Sequence, residues 1–192
     1  KEERLQQLKK REEELQQLHE VIESGSLAYI YGTKVHEFEK KFALLFGIKH
    51  AIGTSSGTAA LHTAMIYLNP EPGDEIIVSP ITDMGTVIPI LYQQAIPVFA
   101  DIDPTTQTLD PASIEENISD RTRGIIVTHI HGIPADMDMI MKIANRYNLF
   151  VIEDVAQAHM AKYHGKIVGT IGDIGCFSFQ QSKHITTGEG GM

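Results

Sequence analysis

Hydrophobic residues recur at helical spacing, between charges of both signs, over the first part of the chain. This pattern predicts an amphipathic helix from Lys1 to about Glu23, either a solvated surface helix or a coiled-coil partner helix. Its apolar residues are Leu5, Leu8, Leu15, Leu18 and Ile22. A second helix is predicted from Val35 to Phe46, where large apolar side chains share one face before Gly47.

Beyond residue 50 the pattern changes to short apolar runs that alternate with helical segments. Runs that are apolar on both faces are typical of strands in a parallel sheet covered by helices. The predicted strands are Ala51–Gly53, Glu75–Val78, Pro97–Ala100, Gly124–Thr128, Phe150–Glu153 and Gly175–Phe179. The predicted helices between them are Thr58–Leu68, Thr86–Gln94, Pro111–Asn117 and Asp136–Tyr147. The sequence therefore predicts a three-layer α/β/α fold with a mostly parallel sheet.

The same change of pattern divides the chain into two predicted parts. Residues 1–48 form an N-terminal helical segment, and residues 49–192 form one α/β domain. A chain of 192 residues is long enough to bury a substantial apolar core. We therefore expect a single globular unit behind the helical segment.

Composition and charge narrow the classes of protein. No apolar run approaches the roughly 20 residues that span a bilayer, and the charged start lacks the core of a secretory signal, so a cytoplasmic protein is expected. The formal net charge of -9 opposes non-specific binding to nucleic acid. The single cysteine, Cys176, cannot form an internal disulfide and is expected to be buried and unreactive.

Ligands of open α/β sheets bind at the carboxyl ends of the strands, so the residues after each predicted strand are candidates for the site. The first predicted strand is followed by Gly53-Thr54-Ser55-Ser56-Gly57-Thr58, which opens a helix. Free amides, hydroxyls and the positive helix end suit a phosphate there, although serine and threonine before a helix often act only as caps. The segment is not a Walker loop, because no Gly-Lys-Ser or Gly-Lys-Thr follows.

An acid and an amine follow two later strands. Asp154 comes after an apolar run, where a buried carboxylate is costly unless it meets a cation or hydrogen-bond donors. The protonated ring nitrogen of a bound cofactor would be such a cation, and the alternative is that Asp154 only caps the next turn. Lys183 lies near glycines that allow close backbone approach, and a catalytic role would require desolvation or a cationic neighbour. The alternative is an exposed loop lysine.

These motifs occur together, and in the same order, in a known family. They are Ser55-Ser56-Gly57-Thr58-Ala59-Ala60-Leu61, Pro72-Gly73-Asp74-Glu75, Pro97-Val98-Phe99-Ala100-Asp101-Ile102-Asp103, Pro134-Ala135-Asp136-Met137, Glu153-Asp154-Val155-Ala156-Gln157-Ala158-His159 and the segment around Lys183. From about Glu14 to Met192 the chain resembles the DegT/StrS-type sugar aminotransferases. That family depends on pyridoxal 5'-phosphate (PLP) and has the aspartate aminotransferase fold.

The resemblance implies roles for six residues. Lys183 would bond to the aldehyde carbon of PLP and later carry a proton between substrate and cofactor. Asp154 would pair with the pyridine nitrogen, and Gln157 would contact the phenolic oxygen. The phosphate would be held by Gly57, Thr58 and Ser178.

The resemblance also implies a reaction and its partners. Glutamate or glutamine would leave its amine on the cofactor, and a keto-sugar would collect it, in amino-sugar, polysaccharide or antibiotic biosynthesis. The keto-sugar would be a nucleotide-linked hexose or a keto-inositol, and Gln180-Gln181-Ser182-Lys183 is similar to some cyclitol-directed members. A homodimer is expected because the cofactor sites of the family are shared between subunits.

Two positions depart from the family pattern, and one segment is expected to be missing. Asp83 stands where many relatives carry an aromatic residue that stacks on the cofactor, and Met160 stands where glycine commonly follows the histidine. Relatives continue after the Gly188-Glu189-Gly190-Gly191 segment with an antiparallel strand beside the first strand, and then with a small C-terminal domain. The chain is therefore expected to be an incomplete large domain.

The sequence leaves three other functions to compare with an aminotransferase. The pairs His129 with His131 and His159 with His164 lack helical i, i+4 spacing and a thiolate ligand set, so no metal site is expected. Sugar dehydratases of the same family carry histidine in place of the lysine, but counting from Phe177-Ser178-Phe179 puts Lys183 in that position. A non-catalytic regulator remains the third alternative, although the acidic charge and the lack of a helix-turn-helix pattern argue against direct control of DNA.

Overall fold

The computed structural model describes residues 2–192 and divides into two compact units. The first unit ends at Ala51, and the second spans Ile52–Met192. None of the helices in residues 2–192 combines the length and apolar character that a membrane crossing requires.

The first unit contains the two predicted N-terminal helices. They are α1 (Glu2–Ser24) and α2 (Lys34–Phe46), and the predicted start at Lys1 lies outside the described residues. Helix α2 ends at Gly47, whose left-handed φ of 65° suits a residue without a side chain. All the apolar residues that define the stripe of α1 are exposed, as expected for a surface or partner helix.

The second unit is built on a five-stranded parallel sheet. Its strands are β1 (Glu75–Val78), β2 (Ile96–Phe99), β3 (Thr122–Thr128), β4 (Phe150–Asp154) and β7 (Ile174–Cys176). The strand order is β2-β1-β3-β4-β7, and every neighbouring pair is parallel. The helices of this unit are α3 (Gly57–Leu68), α4 (Met84–Tyr92), α5 (Pro111–Glu116) and α6 (Met137–Tyr147). All four predicted helices of this unit are confirmed, with ends that differ by one or two residues.

Two apolar cores, one on each face of the sheet, confirm the three layers. Alternate residues of a strand point to opposite faces, so Ile76 and Ile77 enter different cores. One core packs β-strand side chains against α3 and α4, and the other packs them against α5 and α6. A sheet covered on both sides explains why the central residues of β1, β3 and β4 are apolar on both faces.

The predicted strand Ala51–Gly53 is wrong. The structure has no strand there, and the first pairing of this region is a single antiparallel bridge between Thr54 and Gly191. Gly191 also bridges antiparallel to Ser178, so it lies between Thr54 and the segment that follows β7. The direction of this pairing agrees with the antiparallel strand that the resemblance implies.

A short hairpin was not predicted from the sequence. Strands β5 (Lys162–Tyr163) and β6 (Lys166–Ile167) pair antiparallel and form a separate two-stranded sheet. The turn uses His164 and Gly165, both with positive φ, which is typical of a tight two-residue hairpin. Each strand has only two residues, too few to show an alternating pattern in the sequence.

Candidate functional site

A cavity of about 320 Å³ opens at the carboxyl ends of the sheet strands. Its wall comes from segments that follow β1, β4 and β7 and from the start of α3. The lining residues are Ser56, Gly57, Thr58, Leu61, Asp83, Gly85, Thr86, Asp154, Ala156, Ser178, Gln180, Ser182, Lys183 and Glu189. Five of the six site residues predicted from the sequence are among them. The cavity therefore brings together predicted site residues that are up to 126 positions apart in the chain, from Gly57 to Lys183.

The start of α3 and the segment after β7 approach each other closely. Ser56 is the N-cap of α3, and its hydroxyl accepts a hydrogen bond from the Ala59 amide at 3.0 Å. A Cβ at Gly57 would lie 2.6 Å from Cβ of Ser178, so only glycine fits without movement. Thr58 and Ser178 line the same part of the wall. Helix amides and two hydroxyls close to one helix N-terminus are the groups that could hold an anion there, and their binding of a phosphate stays a prediction.

Asp154 closes the cavity at the end of β4 and is 5% exposed. Its Oδ2 accepts a hydrogen bond from the Thr86 hydroxyl at 2.7 Å, and its Oδ1 accepts one from the Ala156 amide at 3.0 Å. Burial raises the pKa of Asp154, against the opposing effect of these two donors and of the Lys183 charge. The side chain is thus a buried acid whose ionised form would be favoured by a nearby cation.

Thr86 was missed as a site residue in the sequence. It lies in the first turn of α4 and contacts an acid 68 residues further along the chain. Thr82 and Thr86 follow β1 at a spacing of four, which puts two hydroxyls on one side of a helix start. That spacing was the available signal, but it does not identify the partner.

Lys183 lines the cavity wall and belongs to a tight turn after β7. Its amide donates to the Gln180 carbonyl at 2.9 Å, and Oε1 of Gln180 accepts from the amide and hydroxyl of Ser182 at 2.7 and 2.6 Å. The side chain of Gln180 therefore fixes the turn that carries the lysine. Neither Gln180 nor Ser182 was assigned a role from the sequence.

Gln157 is the one predicted site residue that does not line the cavity. Its Oε1 accepts a hydrogen bond from the His131 amide at 3.1 Å. It lies three residues after Asp154, in the turn that follows β4. Its contact with the phenolic oxygen of the cofactor stays a prediction.

The two departures from the family pattern have local structural correlates. Asp83 is the N-cap of α4, where Oδ1 accepts from the Gly85 amide at 2.8 Å, and it lines the cavity. Met160 has a φ of 62°, in the left-handed region that favours glycine. The glycine common in relatives at this position is therefore explained by backbone conformation. Asp83 offers a capping carboxylate where relatives offer a ring.

A larger cavity of about 640 Å³ lies at the opposite, amino end of the strands. None of the residues predicted for the site lines it. Two of its charged residues, Asp74 and Arg123, pair with each other at 3.1 Å. In residues 2–192 no group of three or more histidine, cysteine, aspartate or glutamate side chains is arranged to hold a metal ion.

Fold and cavity together define a parallel α/β protein with a cavity at the carboxyl ends of its strands. The chain belongs to the DegT/DnrJ/EryC1/StrS aminotransferase family, whose model matches residues 8–192. It is 44% identical over 180 residues to the spore coat polysaccharide biosynthesis protein SpsC of Bacillus subtilis, covering 94% of this chain and 46% of that protein. It is 47% identical over 161 residues to GDP-perosamine synthase of Caulobacter vibrioides, covering 84% and 43%.

Solved structures confirm the fold that the resemblance implies. An aminotransferase from Psychrobacter cryohalolentis superposes with a TM-score of 0.88 at 44% identity, covering 90% of this chain and 44% of that one. A putative sugar aminotransferase from Streptococcus pneumoniae in its PLP form superposes with a TM-score of 0.85 at 29% identity, covering 93% and 49%. PLP is the cofactor of this family, as predicted. The chain spans about half the length of the curated relatives that it matches.

Proposed function

We propose that the protein is a PLP-dependent aminotransferase that moves an amine from glutamate or glutamine to a keto-sugar. The observation that carries this proposal is one cavity wall shared by an amine and a buried acid, Lys183 and Asp154. These are the two groups that the chemistry of PLP requires, a nucleophilic lysine and a partner for the pyridine nitrogen.

The residues of the cavity fit the proposed cofactor. Burial raises the pKa of Asp154, and a protonated ring nitrogen in contact with the carboxylate would favour its ionised form. Because Gly57 has no side chain, Ser178 lies close to the N-terminus of α3, and the helix amides and the serine hydroxyl could bind the phosphate together. When bound, PLP would supply a ring that withdraws electrons from the substrate carbon.

The remaining steps belong to the residues of this chain. Asp154 would hold the proton on the ring nitrogen, and the helix start at Gly57 and Thr58 would anchor the phosphate. Lys183 would attach the cofactor through its amine and then move a proton to or from the substrate carbon. The turn held by Gln180 would keep that amine directed at the cavity.

Transamination is favoured over the dehydratase and regulatory alternatives. Lys183 lines the cavity and His184 does not, whereas dehydratases carry histidine at the lysine position. The ring of His184 lies 5.9 Å from that of His159. A regulator without a cofactor would not need a buried acid and a lysine in the lining of one cavity.

The substrate class follows from the relatives by analogy. We propose a nucleotide-linked hexose or a keto-inositol, because relatives include GDP-perosamine synthase and a putative aminotransferase of 3-amino-2,3-dideoxy-scyllo-inosose. We also propose a homodimer, which would cover the exposed apolar residues of α1.

A cofactor-trapping experiment tests the proposed reaction. The complete protein is mixed with PLP, reduced with borohydride and digested, and mass spectrometry should find the cofactor on Lys183. Lys183→Ala should abolish this attachment, and Lys166→Ala, in the hairpin, should leave it intact. In a separate assay of the unreduced protein with PLP, glutamate should yield 2-oxoglutarate in the presence of a panel of keto-sugars. Absence of any reducible attachment in the unaltered protein would contradict the proposal.

A further inference from the structure

Three threonine hydroxyls form a continuous chain that ends on Asp154. Thr86 Oγ1 donates to Asp154 Oδ2 at 2.7 Å, Thr82 Oγ1 lies 2.7 Å from Thr86 Oγ1, and Thr128 Oγ1 lies 3.1 Å from Thr82 Oγ1. The chain connects the segment after β1, the first turn of α4 and the ends of β3 and β4. Thr86 is 1% exposed and Thr128 is 4% exposed, and Thr82 between them is partly buried. The contact between Thr86 and Asp154 is the one that is fully buried.

The order of the protons in this chain follows from counting donors. An ionised carboxylate has no proton to donate, so Thr86 donates to Asp154. A hydroxyl has one proton, so Thr82 must donate to Thr86, and Thr128 must donate to Thr82. Three O–H dipoles then point the same way, towards the carboxylate, and each strengthens the next.

We propose that Thr86, supported by Thr82 and Thr128, is a positioning residue that keeps Asp154 ionised and in one orientation at the cavity wall. Thr86 holds Oδ2 while the Ala156 amide holds Oδ1, so the plane of the carboxylate is fixed. This inference rests on the proposed function, in which Asp154 is the partner of the pyridine nitrogen. Thr86 acts through Asp154 and has no direct part in the chemistry.

The hydroxyl matters because burial works against the charge. Burial favours the neutral acid, and the Thr86 hydroxyl is the largest of the effects that oppose it. A neutral Asp154 would be a poor counterion for a protonated ring. Without the Thr86 hydroxyl, burial away from water would favour the protonated, neutral form of Asp154.

Valine and serine at position 86 separate a hydrogen-bonding role from a packing role. Thr86→Val keeps the shape of the side chain and removes the donor, whereas Thr86→Ser keeps the donor and removes a methyl group. The ionisation of Asp154 is followed in the cofactor-free complete protein by infrared spectroscopy of carbon-13 aspartate, and Asp154→Asn assigns the band. PLP affinity is measured separately by absorbance.

In Thr86→Val the Asp154 titration should move up by about one pH unit or more, because one hydrogen bond to a charged group is lost. Thr86→Ser should titrate near the unaltered protein, and Thr82→Val, one bond further from the acid, should give a smaller upward shift. PLP affinity should fall by about tenfold in Thr86→Val. Thr63→Val is the control, because the Thr63 hydroxyl donates to its own helix at the Ala59 carbonyl.

An unchanged Asp154 titration in Thr86→Val, or equal shifts in the valine and serine variants, would overturn the inference. If Thr86→Val does not fold, Thr82→Val decides, and no shift in that variant overturns it. Failure of the proposed function has a different signature. The unaltered protein would then bind no PLP, while the titration of Asp154 would still respond to Thr86→Val.

Discussion

His129 and Glu153 form a fully buried pair, with imidazole Nε2 3.0 Å from carboxylate Oε2. Nδ1 of His129 accepts from the Ala135 amide at 3.1 Å, so the proton of the neutral ring is assigned to Nε2, which donates to Glu153. The carboxylate also accepts, at 2.7 Å each, from the amides of Gly169, Ile171 and Gly172. One side chain therefore ties β3, β4 and the loop before β7 together.

We expect Glu153→Gln to lower the free energy of unfolding by about 1–3 kcal/mol, the usual cost of leaving a buried hydrogen-bond donor without its acceptor. Both carboxylate oxygens of Glu153 accept hydrogen bonds, so the NH₂ group of a glutamine would face a donor on one side. Glu115→Gln is the control, because its pair with Arg146 is exposed and worth about 0–1 kcal/mol. Equal losses in the two variants, measured by denaturant unfolding, would contradict this account.

The contribution of Glu153 should also depend on pH. Burial alone would raise the pKa of Glu153, but hydrogen bonds from His129, Gly169 and Gly172 together hold it below its ordinary value of 4.5. A lowered pKa in the folded state stabilises the protein above pH 4.5, and that stability is lost as the pH falls through the folded value. The difference in the free energy of unfolding between the unaltered protein and Glu153→Gln should therefore become smaller in acid. A difference that stays constant from pH 7 to pH 3 would contradict the lowered pKa of Glu153.

Gly57→Ala tests the cradle proposed for the phosphate. The new Cβ would meet Cβ of Ser178 at 2.6 Å and push the start of α3 away from the segment after β7. We expect PLP affinity to fall by at least about tenfold, since a small displacement breaks several hydrogen bonds at once. Gly124→Ala is the control, because its Cβ would meet the Phe150 carbonyl oxygen at 2.9 Å, away from the cavity. That variant should lose stability without a specific loss of PLP affinity.

Asp154→Asn should stabilise the cofactor-free protein at neutral pH. Burial raises the pKa of Asp154, so the stability present in acid is lost as the pH rises through the folded value. An asparagine NH₂ group could donate to the Thr86 hydroxyl if each of the three threonine hydroxyls donated in the opposite direction. Every hydrogen bond among the three hydroxyls would then still join a donor to an acceptor.

The gain at pH 7 should be about 0.5–2 kcal/mol in thermal unfolding, and it should be smaller at pH 4. PLP affinity and turnover should fall in the same variant, because the ring nitrogen loses its counterion. Asparagine that lowers stability at pH 7 would contradict the expectation. Asp110→Asn, at the exposed N-cap of α5, is a control that should change little.

Cys176 should be inert in the folded protein. Burial, followed by the negative charges of Asp154 and Glu153, raises the pKa of its thiol, so little thiolate forms. Alkylation followed by peptide mass spectrometry should detect modification of this residue only after unfolding in denaturant. Rapid modification under native conditions would contradict the buried placement of this thiol.

Local patterns predicted the layers of the fold and most of its elements. Apolar runs located all five strands of the sheet, because a residue buried on either face must be apolar wherever it points. Cap residues located the helix starts, as Asp110 and Asp136 both do by accepting hydrogen bonds from amides in the first turn. The pattern failed at Ala51–Gly53, because one paired residue is not a strand.

The sequence by itself determined most of the strands, where helices begin, which strand ends carry an acid and an amine, and that a phosphate-type turn precedes α3. Tertiary structure decided which of these meet. Thr86 contacts Asp154, and Glu153 binds the loop before β7, only because of the order of the strands in the sheet. The spacing of apolar residues along the chain does not indicate that order. The pattern of apolar and polar residues reflects how exposed each residue is to solvent. A site, in contrast, requires side chains from distant segments to lie close together.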